Sequence, residues 1–348
     1  MQKIPIMSSD TIYYKELFER FKEMKVIVIG DVMIDAYIFG QVDRISPEAP
    51  VPVVSVNKRS SRLGGAANVA LNLKAMGATA LLCSVIGQDD RAEEFIRLLK
   101  DENMPTDGIL RSKERITTTK FRVIGNNVQL LRVDEENTSP LTSSDELKLF
   151  TYFQQLIERY HPDAIIFQDY DKGVLTPGLI GAIITKANEM GLPITVDPKK
   201  RNFKQYKNVD LFKPNLKELR EGMEMTIHRG DFDALEIAAS RIQDEMSLNM
   251  VMVTLSENGV YLRKRKSDLT YDTFRLPAHR RNIADVSGAG DTVISLATLC
   301  LAARCDVTTI ARISNLAGGL VCEEVGVVPV DADKLLQETI KLYTGVSE

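Results

Sequence analysis

Short β-branched apolar runs alternate with amphipathic stretches along most of this chain, and that alternation limits what it can fold into. Lys25–Asp31 (KVIVIGD) is apolar at consecutive positions and ends at Gly-Asp, as a parallel strand buried on both faces does at a functional edge. The spacing of apolar residues predicts a helix over about Ala66–Met76, a strand over Ala80–Ile86 and a helix over Arg91–Glu102. Further along it predicts helices at 143–160, 176–190, 215–223 and 231–246, interleaved with strands at 163–168, 193–197, 209–213 and 249–255. Helices near 289–303 and 306–322 and a last one over Asp331–Tyr343 complete the set. Such alternation argues for a largely parallel sheet covered by helices on both faces, because parallel strands need crossover connections. With 348 residues, 44% of them hydrophobic, the chain has the material for one large α/β core.

Two stretches break the rhythm. Residues 36–57 and 117–133 read as strands without an intervening helix, and Thr117–Arg122 and Val128–Val133 alternate about Gly125-Asn-Asn127, a hairpin turn. They predict a small β-sheet lid on a single domain spanning 25–348. Ahead of it, residues 1–24 carry Leu17, Phe18, Phe21 and Met24 at helical spacing, an amphipathic extension and not a signal peptide. No apolar run approaches the ~20 residues of a membrane span. The formal net charge of −4 gives no electrostatic support for binding nucleic acid or an anionic membrane. Four cysteines (Cys83, Cys300, Cys305, Cys322) lie in apolar runs without metal-ligand or redox spacing, and read as buried reduced thiols of a cytoplasmic protein. Three scattered histidines (His161, His228, His279) give no basis for a zinc site. Arg263-Lys-Arg-Lys266 reads as a solvated hairpin turn, whereas Lys199-Lys-Arg201 follows Asp-Pro at a strand end, a better place for function.

The chemistry concentrates in Asp285-Val-Ser-Gly-Ala-Gly-Asp291, which opens an apolar run to Leu301. A small-residue turn at a helix start aims the backbone N–H groups of Gly288, Ala289 and Gly290 at one spot, where the helix dipole favours negative charge. Asp291 is unwelcome beside a bound anion unless it takes a proton from a hydroxyl attacking phosphorus. The plainer reading is a capped helix after a glycine-rich turn. Gly64-Gly-Ala-Ala-Asn68 precedes another helix; Gly64 and Gly65 admit a ligand close to the backbone, and Asn68 offers a donor and an acceptor to a polyol. With Asp35 after the first strand, they outline a carbohydrate pocket at the strand carboxyl ends. Asn215-Leu-Lys-Glu218 has the form of a capping box; functionally, Asn215 and Glu218 would orient Mg²⁺ waters beside nucleotide phosphates. Thr254-Leu-Ser-Glu-Asn-Gly259 is either a plain hairpin or a turn lining a nucleotide through Thr254, Ser256 and Gly259. Asn315 either faces an adenine pocket or fills a helix contact. There is no Gly-x-x-x-x-Gly-Lys-Ser/Thr loop, and Gly30-Asp31 lacks Gly-x-Gly-x-x-Gly, so a P-loop NTPase and a dehydrogenase are disfavoured.

Together these residues resemble the ribokinase (PfkB) family of carbohydrate kinases. Gly64-Gly-Ala-Ala-Asn-Val-Ala70, with Gly77 and Gly87, is similar to the family's first signature, and Asp285–Asp291 to its second, with Leu296 where a small residue is usual. The two stand about 220 residues apart in the family's order, and the likeness covers roughly residues 25–343. It implies a ribokinase-like three-layer α/β sandwich with a mostly parallel central sheet, a β lid, ATP and Mg²⁺ as cosubstrates, and room for a monovalent cation. It also implies homodimers in which the lids clasp each other. By position it implies Asp291 as catalytic base, Gly288–Gly290 as anion hole, Asp285 beside the ATP, and Asn215 and Glu218 as the metal-water motif.

Within the family, the chain resembles the D-glycero-D-manno-heptose-7-phosphate kinases of bacterial lipopolysaccharide synthesis. Arg44-Ile-Ser-Pro-Glu-Ala-Pro-Val-Pro-Val-Val54, Gln129-Leu-Leu-Arg132-Val-Asp134, Asp169-Tyr-Asp-Lys172-Gly173, Asp197-Pro-Lys199 and Asp291-Thr-Val-Ile294 carry that likeness. It implies that Arg44, Lys120, Arg122, Arg132, Lys172 and Lys199, with Asp169, surround a phosphorylated sugar. The chain departs in two places: Asp35-Ala36-Tyr37 stands for Asp-Arg-Tyr, and Asp171 replaces a small residue beside Lys172. The expected function is ATP-dependent phosphorylation of a heptose 7-phosphate at its anomeric hydroxyl. A kinase for fructose, ribose or a keto-deoxy acid is the alternative within the class. Outside it stands a non-catalytic ligand-binding protein on the same fold, which the intact Asp291 and glycine turn oppose. Some members carry a further C-terminal nucleotidyltransferase domain; 348 residues are expected to hold the kinase domain alone.

Overall fold

The computed structural model describes residues 9–268, 270–279 and 283–344, so the first eight residues of the expected extension and the last four of the chain lie outside it. The first half runs α1 (Ser9–Glu23), β1 (Lys25–Gly30), β2 (Val32–Ile45), β3 (Pro52–Gly65), α2 (Ala66–Ala75), β4 (Thr79–Ile86), α3 (Asp90–Asp101), β5 (Ile109–Arg111), β6 (Thr119–Gly125) and β7 (Val128–Glu135). Next come α4 (Ser143–Tyr160), β8 (Ala164–Gln168), α5 (Pro177–Glu189), β9 (Ile194–Asp197), β10 (Leu211–Phe212), α6 (Leu216–Met223), α7 (Phe232–Glu245) and β11 (Met250–Thr254). The chain closes with β12 (Val260–Arg265), β13 (Tyr271–Leu276), α8 (Ala289–Ala302), α9 (Val307–Val321) and α10 (Ala332–Tyr343).

Among the described residues nine strands form one sheet in the order β13-β12-β11-β10-β9-β8-β1-β4-β5. All neighbours from β5 to β11 pair in parallel, and β12 and β13 add an antiparallel edge. Alternation along β1 divides the core. Val26 and Val28 join a cluster with α1, α2, α3, α8, α9 and α10, while Ile27 and Ile29 join the opposite one with α4 to α7. All four are fully buried, each worth about 1.5–3 kcal/mol relative to exposure. The result is the expected three-layer sandwich. β5 is an addition that the sequence did not signal, since three residues are too few to show a period.

The small sheet has the order β3-β2-β6-β7. It begins earlier than expected, because β2 continues from β1 almost without interruption and β3 runs into Gly64-Gly65. Gly64 lies in this strand end because a Cβ there would sit 2.5 Å from Asp35 Oδ2. One side of the sheet stays open: Ile45, Val51, Val56, Val128, Leu131 and Val133 are exposed apolar side chains.

Two sequence expectations need correction. Arg263 is no solvated turn residue: it lies in β12, buried, and its guanidinium donates to Glu236, Ser240 and Gln243 on one face of α7. The hairpin turn comes after it, where Lys266 N donates to Thr270 O. Cys83 and Cys300 are buried free thiols, but Cys305 and Cys322 are only partly buried, because both sit just past helix ends. The amphipathic helix expected in the extension is α1: Leu17, Phe18 and Phe21, with Tyr14 and the following Met24, are buried in the core, and Arg20 donates to Ala303 O at 2.8 Å.

Candidate active site

β1, β8, β9 and β10 all end at the same edge of the sheet, and α8 starts over that edge. Gly288 is the N-cap of α8 with φ +82°, a conformation that favours glycine, and no side chain caps the helix. The first N–H groups of a helix lack intrahelical partners, so the turn at Gly288–Gly290 presents donors and the positive dipole end to the space in front of it. A Cβ on Gly290 would lie 3.7 Å from Lys213 Nζ and 3.8 Å from Asp197 Oδ2, which sets the turn directly against those charges.

Asp291, in the first turn of α8, is buried. Its Oδ2 accepts from Asn68 Nδ2 at 2.7 Å, and its Oδ1 accepts from Tyr170 OH at 2.7 Å and Gln168 Nε2 at 3.1 Å. Burial pushes this carboxyl up to about 6, although Asn68 and Tyr170 pull the other way by bonding the anion. A carboxylate near that value is ionised at neutral pH yet basic enough to take a proton. The side-chain oxygens of Asn68 and Gln168 are buried without a hydrogen-bond partner.

Beside it lies a second charge cluster. Lys213 Nζ, buried after β10, is 2.8 Å from Asp197 Oδ2, and Lys199 Nζ is 3.7 Å from Asp197 Oδ1. Burial opposes the charge of Lys199, but Asp197 and Glu218 hold its ammonium above the ordinary lysine range. Lys199 also pairs with Glu218. Asn215 and Glu218 make a complete capping box on α6: Glu218 N donates to Asn215 Oδ1 at 2.9 Å and Asn215 N to Glu218 Oε2 at 2.8 Å. Among the described residues no three His, Cys, Asp or Glu side chains gather to hold a metal ion. The oxygens of Asn215 and Glu218 are engaged in that cap and, for Glu218, also with Lys199.

Except for Asn68, which reaches Asp291 from behind the lining, these groups line a cleft of about 490 Å³. Of the residues singled out in the sequence, it brings together Lys199, Asn215, Glu218, Thr254, Ser256, Gly259, Gly288, Ala289, Gly290, Asp291 and Asn315. Asn315 Nδ2 donates to Pro277 O at 3.0 Å, and Ser256 lies in a single 3-10 turn between β11 and β12. Among the lining residues that sequence reasoning passed over as members of this site are Gln168, Tyr170, Asp197 and Lys213. Gln168 and Asp197 end buried strands and Lys213 follows one, so a polar residue closing an apolar strand was the available signal.

Other expected residues lie outside the cleft lining. Asp285 is engaged in its own loop, its carboxylate accepting from Ser287 N at 2.9 Å and Gly326 N at 3.1 Å. Asp169 is used internally, accepting from Tyr206 OH at 2.7 Å, Asn202 Nδ2 at 3.3 Å and Asp171 N at 2.8 Å. Gly64 and Gly65 serve the junction of the small sheet with α2. Asp35 pairs with Arg122 at the base of that sheet. Arg44 lies opposite Val53 in the far, exposed part of β2. The remaining cations join in a ladder: Arg132 to Asp134 at 3.0 Å, Lys120 to Asp134 at 2.9 Å and Glu136 at 3.2 Å, and Lys172 to Glu136 at 2.8 Å. No helix of the described residues is long and apolar enough to cross a membrane.

Comparison with known proteins agrees with this geometry. Residues 23–333 match the pfkB family carbohydrate kinase profile. The "Bifunctional protein HldE" of Methylobacillus flagellatus is 39% identical over 313 residues, covering 90% of this chain and 62% of that protein. A protein of the same name from Campylobacter fetus is 37% identical, covering 87% of this chain and 64% of its own length. The chain thus spans somewhat under two thirds of these relatives. Phosphofructokinase-2 from Escherichia coli, solved in complex with potassium, superposes with a TM-score of 0.75 at 19% identity, covering 92% of this chain and 99% of that one. The ribokinase of Arabidopsis thaliana, solved with ribose and ATP, gives a TM-score of 0.69 at 15% identity over 90% and 99% of the two chains.

Proposed function

The chain belongs to the pfkB family of carbohydrate kinases, and from that premise we propose that it transfers the γ-phosphoryl group of ATP to the anomeric hydroxyl of a heptose 7-phosphate, giving the 1,7-bisphosphate. The observation that carries this reading is Asp291: a buried carboxyl pushed up to about 6, beside an uncapped, glycine-lined helix start. As the sugar oxygen bonds to phosphorus, its proton passes to Asp291. The bond from phosphorus to the bridging oxygen breaks, and ADP leaves with the electron pair. N–H groups at Gly288–Gly290 hold the charge that accumulates on the transferred group. Lys199 and Lys213 add positive charge nearby, and Thr254, Ser256, Gly259 and Asn315 line the nucleotide end of the cleft. Asn215 and Glu218 are the residues to orient waters of a Mg²⁺ ion, which when bound neutralises phosphate charge.

The heptose 7-phosphate assignment rests on the motif resemblance and on the cations Lys120, Arg122, Arg132 and Lys172, grouped on the small sheet and the adjoining loop. A phosphate dianion would replace Asp134 and Glu136 as the partner of Lys120, Arg132 and Lys172, and Asp35 as that of Arg122. The small sheet acts as a lid, and its exposed apolar side meets a second copy, giving a homodimer. The enzyme works in the cytoplasm and supplies the lipopolysaccharide core pathway. A second reading, a kinase for another sugar, is favoured by Ala36 and Asp171, which remove a cation and add an anion. ADP release measured over a panel of hexoses, heptoses and their phosphates decides between them. Heptose 7-phosphate should be the best acceptor; a better unphosphorylated sugar would overturn the heptose 7-phosphate reading while leaving the kinase intact.

A further inference from the structure

We infer that Tyr170 is a positioning residue that fixes the orientation and basicity of Asp291, and so sets the pH range over which phosphoryl transfer proceeds. The inference rests on Asp291 being the base, and deepens that reading. Tyr170 OH donates to Asp291 Oδ1 at 2.7 Å, shorter than the 3.1 Å bond from Gln168 to the same oxygen. A phenol donates more strongly to the ionised carboxyl than to the neutral acid, so the bond favours the state that accepts the substrate's proton.

The phenol is held in place from behind. Asp31, 1% exposed at the end of β1, accepts the backbone N–H groups of Tyr170 at 2.9 Å, Lys172 at 3.1 Å and Val174 at 3.0 Å. Three bonds to one buried carboxylate pin the loop after β8, which also contains Asp171 with φ +59°. On the cleft side, Lys199 Nζ stands 5.7 Å from the centre of the Tyr170 ring. The phenol is thus clamped between a fixed backbone and a fixed carboxyl, and has no other role in the proposed transfer.

The other groups that act on Asp291 are Asn68 from α2, Gln168 from β8, Asp197 from β9, and Lys213 after β10. Asp197 raises its affinity for a proton and Lys213 lowers it. Lys199 also faces it. Asp31 is itself pushed up to about 6 by burial and by Asp169, so it titrates in the same range. It contacts the backbone of Tyr170 and not the phenol, so removing the hydroxyl separates the two carboxyls.

Tyr170→Phe keeps the ring and deletes the donor. Losing a hydrogen bond to an anion should move the acid limb of the kcat/KM profile upward by about one to two pH units. At pH 6 the variant should fall about 5- to 50-fold below the wild type, and the two should converge by pH 9. Infrared titration of the carboxyl, taken as the difference from Asp291→Asn without substrates, should show the same upward move. If the Phe variant does not fold, 3-fluorotyrosine at 170, a stronger donor, should move the limb downward. An acid limb that stays put, with an equal loss at every pH, would overturn the role of Tyr170. Wild-type-like turnover of Asp291→Asn would instead remove the base itself, so the two failures are distinguishable.

Discussion

Lys213→Met tests how the charge cluster beneath the cleft is balanced. β9 and β10 are parallel neighbours with Val196 opposite Phe212, so Asp197 and Lys213 follow side by side. Lys213 Nζ meets Asp197 Oδ2 at 2.8 Å, with the two side chains 2% and 6% exposed. Methionine keeps most of the aliphatic volume and removes the charge. Breaking a buried pair from one side costs about 3–5 kcal/mol, because the remaining ion is desolvated without compensation. Lys199, 3.7 Å from Asp197, stays behind, so we expect the lower end, about 3 kcal/mol. The sign with pH follows from Asp197. Burial raises its carboxyl, but Lys213 and Lys199 outweigh that and hold it below the ordinary range. In the wild type this group therefore contributes stability above the unfolded value of about 3.9, lost as pH falls through the lower folded value. Without Lys213, burial dominates and the folded value rises above the unfolded one. The variant then regains stability as pH falls and Asp197 takes up a proton. Urea unfolding of both proteins at pH 8 and pH 5 reads this out, with the deficit larger at pH 8. A deficit below about 1 kcal/mol, or one equal at both pH values, would refute the balance described.

Gly288→Ala places a side chain at φ +82° and should cost roughly 1–2 kcal/mol of stability by thermal unfolding, whereas Gly290→Ala, with only ordinary contacts at 3.7 and 3.8 Å, should fold normally. Yet Gly290→Ala should lose turnover, since its methyl group enters the space in front of the α8 N-terminus; normal kinetics would remove the anion hole from that turn. Lys172→Ala should weaken binding of a phosphorylated sugar by about 10–100-fold and leave the dephosphorylated sugar nearly unchanged, measured by calorimetry. Equal losses for both would detach Lys172 from the phosphate. Light scattering should report a dimer that Val133→Asp on the open face of the small sheet converts to monomer; a monomeric wild type would end the lid-to-lid proposal.

The fold was legible where sequence patterning is local. The short, β-branched apolar run ending at Gly-Asp in Lys25–Asp31 has the form of a strand buried on both faces, and Asp291 stood out because a carboxylate follows a run of small residues. Asp197 and Lys213 were harder, because their meeting depends on which strands are neighbours and not on any spacing along the chain. Gln168 and Tyr170 reach Asp291 across more than a hundred residues, and an isolated Gln or Tyr carries no signature of that. Arg263 was misread because charge suggested solvent, while β12 directs it at Glu236, Ser240 and Gln243, which share one face of α7. The sequence displayed the cations of the small sheet but not the carboxylates that pair with them.

Single-turnover phosphoryl transfer by Asp291→Asn, measured beside ATP binding to the same protein, bears most directly on the assignment of the base. Asparagine preserves the shape of the side chain and its reach to Tyr170 and Gln168, and removes its capacity to accept a proton. Transfer should fall by roughly 10²–10⁴ while the ATP affinity stays near the wild-type value. Transfer at the wild-type rate would contradict Asp291 as the base.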